Sequence, residues 1–199
     1  MQIAAAILAG GHALRLGGVA KGLLTDDAGL SIIARLVEEL KIAGIAEIVI
    51  SANSPHQYRT FDKPIVADIH PNLGPLGGIE AVLAHFTMHC QSVVLLACDL
   101  PNITADEILK LIDAHRAAPS RIVVAGTPEG QQPLCAVVPV AVLPQVTAAI
   151  AAGSLGVGRL WRSLGAWVVE IDDPARFLNI NTPRDLREWR ESAGNIEKD

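Results

Sequence analysis

The stretch that most constrains the fold of this chain is its first, from Ile3 to Lys21. An apolar run, Ile3, Ala4, Ala5, Ala6, Ile7, Leu8, leads through Ala9 into Gly10 and Gly11. A run of that length bounded by glycine predicts a buried strand whose exit can turn tightly and bring backbone close to a ligand. Arg15 and Lys21 follow closely, and no acid occurs before Asp26. Backbone N–H groups exposed by such a turn, with two cations behind them, make a site for several negative charges. The substrate this predicts is a phosphorylated small molecule held at the N-terminal edge of a sheet. Taken alone, the glycine pair also fits an ordinary structural turn, and Arg15 and Lys21 also fit solvated surface positions.

The segments that follow alternate between helix and strand periodicity. Ile32, Ile33, Leu36, Val37 and Leu40 recur at helical spacing, with the helix ending near Gly44, and Ile48 to Ile50 supplies a second strand. The run Ile65, Val66, Ala67 ends at Asp68 and enters a segment with two prolines and three glycines, His70 to Gly78, which predicts a shaped loop feeding a helix marked by Ile79, Val82, Leu83 and Phe86. Ser92 to Ala97 is a continuous apolar strand, with Asp99 at its end and Thr104 and Glu107 spaced as a helix cap. Arg121 to Ala125 and Leu134 to Val138 predict strands joined by a turn through Gly126 to Gly130, and Trp167 to Ile171 a late strand. Thr182, Pro183 and Asp185 are spaced as a helix start. This alternation predicts one mostly parallel, three-layer α/β/α domain over residues 1–190, with 191–199 as a flexible tail.

Charge and cysteine content exclude several classes of function. With 21 acidic against 16 basic residues in 199, the formal charge is -5, which argues against a general nucleic-acid or anionic-membrane surface while leaving room for a local phosphate pocket. Cys90, Cys98 and Cys135 are too scattered for a disulfide framework or a thiolate metal site, and read as buried thiols in a reducing compartment. His85 and His89 share a helical face, but no nearby acid or third ligand supports a zinc site there. The opening run lacks a basic n-region, and no run is long enough to span a bilayer. The expected location is the cytoplasm.

The polar candidates lie where strands end. Asp99 is expected at the carboxyl edge of the sheet, where ligands of open α/β folds gather; it either caps a turn or supplies a carboxylate to magnesium beside a polyphosphate. Asp68 fits a ligand contact or a structural turn equally. Asn179 and Asn181 alternate, so an extended segment would aim both to one side, either as backbone caps or toward a metal or phosphate. Lys21 is followed by Gly22 rather than Ser or Thr, so this is no P-loop, and the dinucleotide fingerprint is missing.

In order along the chain stand LAGG (Leu8 to Gly11), Arg15, Gly17 and Gly18, Lys21, Asp68, GPLGG (Gly74 to Gly78), CDLP (Cys98 to Pro101), QPL (Gln132 to Leu134) and FLNINTPRDL (Phe177 to Leu186). In this ordered combination the chain resembles the molybdenum cofactor guanylyltransferase family, the MobA-like NTP transferases. The resemblance implies a Rossmann-like nucleotidyltransferase fold and transfer of GMP from GTP to the phosphate of molybdenum-bearing molybdopterin, with pyrophosphate released. It further implies that Leu8, Ala9, Gly10 and Gly11 contact the nucleotide through backbone, that Arg15 and Lys21 hold phosphates, that Asp68, Gly77 and Gly78 seat base or ribose, and that Asp99 binds Mg2+. Asn179 and Asn181, with Arg159, are implied on the acceptor side, and molybdoenzyme apoproteins or their chaperones as recipients of the product. Two positions depart from the family pattern: Ala20 stands where an Asp commonly precedes the motif lysine, and Gly29, Leu30, Ser31 replace a GxPL segment. Alternative activities are cytidylyl transfer to the same pterin and nucleotidyl transfer to a sugar phosphate, and a nucleotide-binding regulatory protein is the alternative without catalysis.

Overall fold

The opening run folds into β1 (Ile3–Leu8), in which Ala4, Ala5, Ala6 and Ile7 are each 0% exposed. A strand buried on both faces requires a layer above and below it, and the remainder of the chain supplies both. In the computed structural model, residues 2–10, 12–13 and 19–196 are described. After β1 come a short antiparallel pair, β2 (His12–Ala13) and β3 (Val19–Ala20), then α1 (Ile32–Ile42), β4 (Ile48–Ser51), β5 (Ile65–Val66) and α2 (Pro75–Phe86). The second half comprises β6 (Ser92–Ala97), α3 (Ala105–Ala117), β7 (Val123–Thr127), β8 (Gly130–Pro139), α4 (Leu143–Ala151), α5 (Val157–Ser163), β9 (Trp167–Glu170) and α6 (Pro183–Ile196).

Seven strands form one sheet in the order β5-β4-β1-β6-β8-β7-β9. β1 is parallel to both β4 and β6, and β4 is parallel to β5. β8 runs antiparallel to β6 and β7, so it alone is reversed in this sheet, and β9 returns parallel to β7. The protein is therefore an α/β fold with a mixed, mostly parallel sheet. Side-chain alternation along β1 divides the core. Ala5 and Ile7 pack with Ile33, Leu36 and Leu40 of α1 and Ile108 and Leu111 of α3, whereas Ala4, Ala6 and Leu8 pack with Leu76, Ile79 and Leu83 of α2 and Trp161 of α5.

Local chemistry sets the helix boundaries. Ser31 Oγ accepts from the Ala34 N–H at 3.3 Å to start α1, so the segment that departs from the family pattern still supplies a cap. Glu107 accepts from both the N–H and the hydroxyl of Thr104, at 3.1 and 2.6 Å, ahead of α3. At α6, Asp185 accepts from the Thr182 N–H at 2.7 Å while Thr182 Oγ1 accepts from the Asp185 N–H at 3.2 Å. α6 extends to Ile196, past the boundary drawn at 190 from the sequence, and 197–199 lie outside the described residues.

Three expectations are corrected. The proline- and glycine-rich stretch is not all loop, because α2 begins within it at Pro75. Proline at a helix start loses no hydrogen bond, and Gly74 before it adopts φ 62°, ψ -155°, a region open essentially to glycine alone. The turn after β7 is shorter than Gly126 to Gly130, since β7 continues to Thr127 and β8 resumes at Gly130. Thr127 Oγ1 closes it, donating to the Gly130 carbonyl at 3.2 Å and accepting from the Glu129 N–H at 3.3 Å. Finally, the opening turn does not lie at the N-terminal edge. Leu8 ends β1 as Ser51, Val66 and Ala97 end β4, β5 and β6, so all four exits meet at the carboxyl edge.

Opposite that edge, His115 of α3 is 0% exposed. Its Nδ1–H donates to the Arg121 carbonyl at 3.0 Å, which leaves Nε2 to accept from the Ser92 hydroxyl at 2.7 Å. Burial pushes its pKa below the usual histidine value, partly offset by the Arg121 carbonyl. The folded state thus binds this proton less readily than the unfolded chain, and the stabilisation it contributes is full above about pH 6.5 and falls as pH drops below that value. Urea midpoints at pH 7.5 and 5.5 are expected to separate more for the native chain than for His115→Gln.

Candidate active site

A cleft of about 380 Å³ opens at the carboxyl edge, lined by residues from the ends of β1, β4 and β6, from the loop after β5 and from the start of α2. Leu8 and Gly10 line it from β1, Ser51 and Asn53 from β4, Asp68, Asn72, Gly74, Pro75 and Gly78 from the β5–α2 connection, Lys21 from the turn after β3, and Asp99 from β6. Parallel strands make this convergence unavoidable, because each polar exit residue is delivered to the same edge.

Lys21 carries the strongest contacts in the cleft. Its ammonium lies 3.0 Å from Asp99 Oδ2 and 2.6 Å from Asn181 Oδ1, and its side chain is only 15% exposed. Ala20, just before this lysine, is buried in the core. An ammonium has three donors, so its two acceptors among the described residues occupy two of them. The C-terminal segment reaches the same place through backbone, the Ile180 N–H donating to the Asp99 carbonyl at 3.4 Å.

A second polar pair closes the other side. Asn53 Nδ2 donates to Asp68 Oδ2 and the Asp68 N–H donates to Asn53 Oδ1, both at 2.9 Å, which ties the exits of β4 and β5 together. The α2 glycines let the helix pack against this pair: a methyl on Gly77 would stand 3.3 Å from Asp68 Oδ2 and 3.1 Å from the His70 carbonyl, and one on Gly78 would stand 2.7 Å from Ser51 Oγ. Buried Glu80 fixes the loop between them, paired with His70 Nδ1 at 3.1 Å and accepting from the Thr147 hydroxyl at 2.8 Å. Beneath the β1 exit, the Tyr58 hydroxyl donates to the Ala9 carbonyl at 3.0 Å. Burial first, and the neighbouring Cys98 second, push that phenol up to about 12, so it stays a donor.

Of the residues singled out in the sequence, Leu8, Gly10, Lys21, Asp68, Gly78 and Asp99 line the cleft. Asn181 joins through Lys21. Ala9 and Gly77 are buried just behind the lining. Asn179 does not share the contact of Asn181, for its Nδ2 donates back to the Phe177 carbonyl at 3.2 Å. Arg159 is exposed on α5 and is not among the cleft residues. Gly11, Arg15, Gly17 and Gly18 lie outside the described residues. Ser51, Asn53 and Asn72 were missed; the same rule that picked Asp99, a polar residue just past a strand, applies equally to Asn53, whereas Ser51 is the last residue of β4.

The donor set suits a hard divalent cation. Lys21 engages only Oδ2 of Asp99 among the described residues, which leaves Oδ1 available, and one carboxylate plus substrate phosphates is a common way of holding magnesium.

A mixed, mostly parallel sheet with a cation and a carboxylate facing one cleft at its carboxyl edge defines a Rossmann-like α/β protein with a cleft suited to a phosphorylated ligand. Residues 5–167 match the MobA-like NTP transferase domain, and the chain belongs to that family. It is 32% identical over 187 residues to a molybdenum cofactor guanylyltransferase of Shewanella sp. strain MR-4, covering 92% of each chain. The corresponding protein of Vibrio cholerae is 32% identical over 185 residues, covering 92% of this chain and 89% of that one. In fold, it superimposes on molybdopterin-guanine dinucleotide biosynthesis protein A of Archaeoglobus fulgidus with a TM-score of 0.78 at 23% identity, covering 98% of this chain and 100% of that chain.

Because a methyl on Gly78 meets Ser51 Oγ inside van der Waals contact, Gly78→Ala is expected to crowd the cleft and weaken nucleotide binding about tenfold, equivalent to ~1.4 kcal/mol. Titration calorimetry with each nucleoside triphosphate measures this, and an unchanged affinity would show that the nucleotide sits elsewhere.

Proposed function

We propose that this protein is a molybdenum cofactor guanylyltransferase, transferring GMP from GTP to the terminal phosphate of Mo-molybdopterin and releasing pyrophosphate. The observation that carries the reading is the Lys21–Asp99–Asn181 cluster in the carboxyl-edge cleft, in a chain whose 32%-identical relatives bear that activity in their names. In the reaction an oxygen of the acceptor phosphate attacks the α-phosphorus of GTP, a new P–O bond forms, and the bond to the β-phosphate oxygen breaks. The acceptor is already an oxyanion near neutral pH, so no protein base is needed to activate it.

In this reading Leu8, Ala9, Gly10 and Gly11 hold the guanine nucleotide through backbone, with Asp68, Gly77 and Gly78 shaping its seat. Asn53 keeps the Asp68 carboxylate oriented through their paired hydrogen bonds. Lys21, joined by Arg15, draws charge from the triphosphate. Asp99 holds Mg2+, which when bound would neutralise phosphate charge and favour departure of pyrophosphate. Asn181 positions the Lys21 ammonium on the acceptor side. Asn179 and Arg159 complete that side in the reading taken from the family. The same reading makes the protein cytoplasmic and hands its product to molybdoenzyme apoproteins or their chaperones; among the described residues no helix is long and apolar enough to cross a membrane.

The test is a product assay with protein, Mg2+ and Mo-molybdopterin, offered GTP, CTP, ATP and UTP separately. Dinucleotide and pyrophosphate from GTP alone are expected. Product from CTP instead would overturn the base assignment, and no product beside an active control enzyme would overturn the reaction. Asp99→Asn is expected to lower turnover about 10²- to 10³-fold with little change in thermal midpoint. Lys21→Ala is expected to weaken triphosphate affinity as well as turnover, and retention of both would remove Lys21 from the phosphate site.

A further inference from the structure

At the amino edge of the sheet, about 20 Å from the cleft along the strands, Glu47, His89 and Cys90 converge. Glu47 immediately precedes β4, and His89 and Cys90 lie in the connection between α2 and β6. The absence of an acid near His89, expected from the sequence, is thereby corrected: the fold brings Glu47 to it across 42 positions. His89 Nε2 is 3.1 Å from Glu47 Oε1, and Cys90 Sγ is 3.4 Å from Glu47 Oε2. One ligand atom from each residue lies within 4.8 Å of the others.

We propose that Glu47, His89 and Cys90 form a binding site for a zinc-type transition metal, distinct from the nucleotide cleft. Bond lengths of a tetrahedral zinc place neighbouring N and O ligands about 3.3 Å apart and S and O ligands about 3.5 Å apart. The His89 and Cys90 contacts are of that size but end on different oxygens of Glu47, so the three ligand atoms, within 4.8 Å of one another, draw together around the ion. The mixed N, O and S donor set suits zinc or cobalt and not magnesium. The scaffold holds the ligands in place: the Glu47 carbonyl accepts from the Ala5 N–H of β1 at 2.9 Å, and the Cys90 N–H donates to the Phe86 carbonyl at 3.0 Å. Gln2 Nε2, 3.4 Å from Glu47 Oε2, orients the carboxylate from outside. His89 and Glu47 side chains are 43% and 38% exposed, so an ion can enter and a fourth ligand position faces solvent.

Without a cation, the Cys90 thiol donates its proton to the Glu47 carboxylate. Metal binding replaces that proton, which is released to solvent, and clips the start of β4 to the α2–β6 connection. The proposal stands independently of the transfer reaction.

The experiment uses untagged full-length protein titrated with Co2+ and, separately, Zn2+. A near-ultraviolet thiolate-to-cobalt charge-transfer band is expected, retained in Asp99→Asn and lost in Cys90→Ser. His89→Ala, at an exposed position that the fold tolerates, is expected to bind one Zn2+ fewer per chain by equilibrium dialysis, or to bind it more weakly by at least the roughly 10–100-fold that loss of an outer-shell partner costs. Absence of the band in the native chain, its persistence in Cys90→Ser, or unchanged zinc binding in His89→Ala would overturn the site.

Discussion

The candidate site depends on the burial of β1 on both faces. A strand with no solvent-facing side chain must sit inside the sheet, and parallel pairing with β4 and β6 then aligns their exits. Backbone and polar side chains excluded from the strands themselves accumulate where they end. The cleft is the consequence of that geometry: hydrophobic strands of matching direction leave Gly10, Asn53 and Asp99 on one rim. The reversed β8 does not disturb this arrangement, because it enters beyond β6 and contributes only Leu134 to the lining.

Within the cleft, the Lys21 ammonium is the interaction that unites distant parts of the chain. A cation with little exposure loses much of its hydration and must recover it from neighbours. Its partners come from 78 and 160 positions away, so the N-terminal turn, the central strand and the C-terminal segment meet on one nitrogen. Asp185 supports the arrangement from α6, where the Asn181 N–H donates to its carboxylate and, as the leading cause, holds its pKa below the usual value. Opposite the Lys21 ammonium, the Asn53–Asp68 pair is doubly hydrogen-bonded and joins the exits of β4 and β5.

Much of this was legible along the chain. Apolar runs ending in Gly or Asp marked β1 and β6, and the cap residues Thr104 and Thr182 marked α3 and α6, because those signals are local and act through neighbouring backbone. The start of α2 was hidden because proline and glycine ordinarily interrupt helices; here Pro75 occupies a helix start and Gly77 and Gly78 are needed for contact with Asp68 and Ser51, which no local signal reveals. Asn53 was hidden for a related reason, since its role lies in a partner fifteen positions on. Asn179 and Asn181 share a spacing but not an environment, for Asn179 donates to the Phe177 carbonyl and Asn181 accepts from Lys21.

The sequence by itself determined the class of fold, the order of the elements, and the presence of a cation and a carboxylate able to meet polyphosphate, because period, capping and charge are written in adjacent residues. Tertiary structure alone decided that the opening turn joins Asp99 at the carboxyl edge, that Lys21 pairs with Asp99 and Asn181, and that Glu47 meets His89 and Cys90 at the opposite edge. These are contacts between residues far apart in the chain, and their existence follows from strand order and direction, which a linear pattern of residues does not encode.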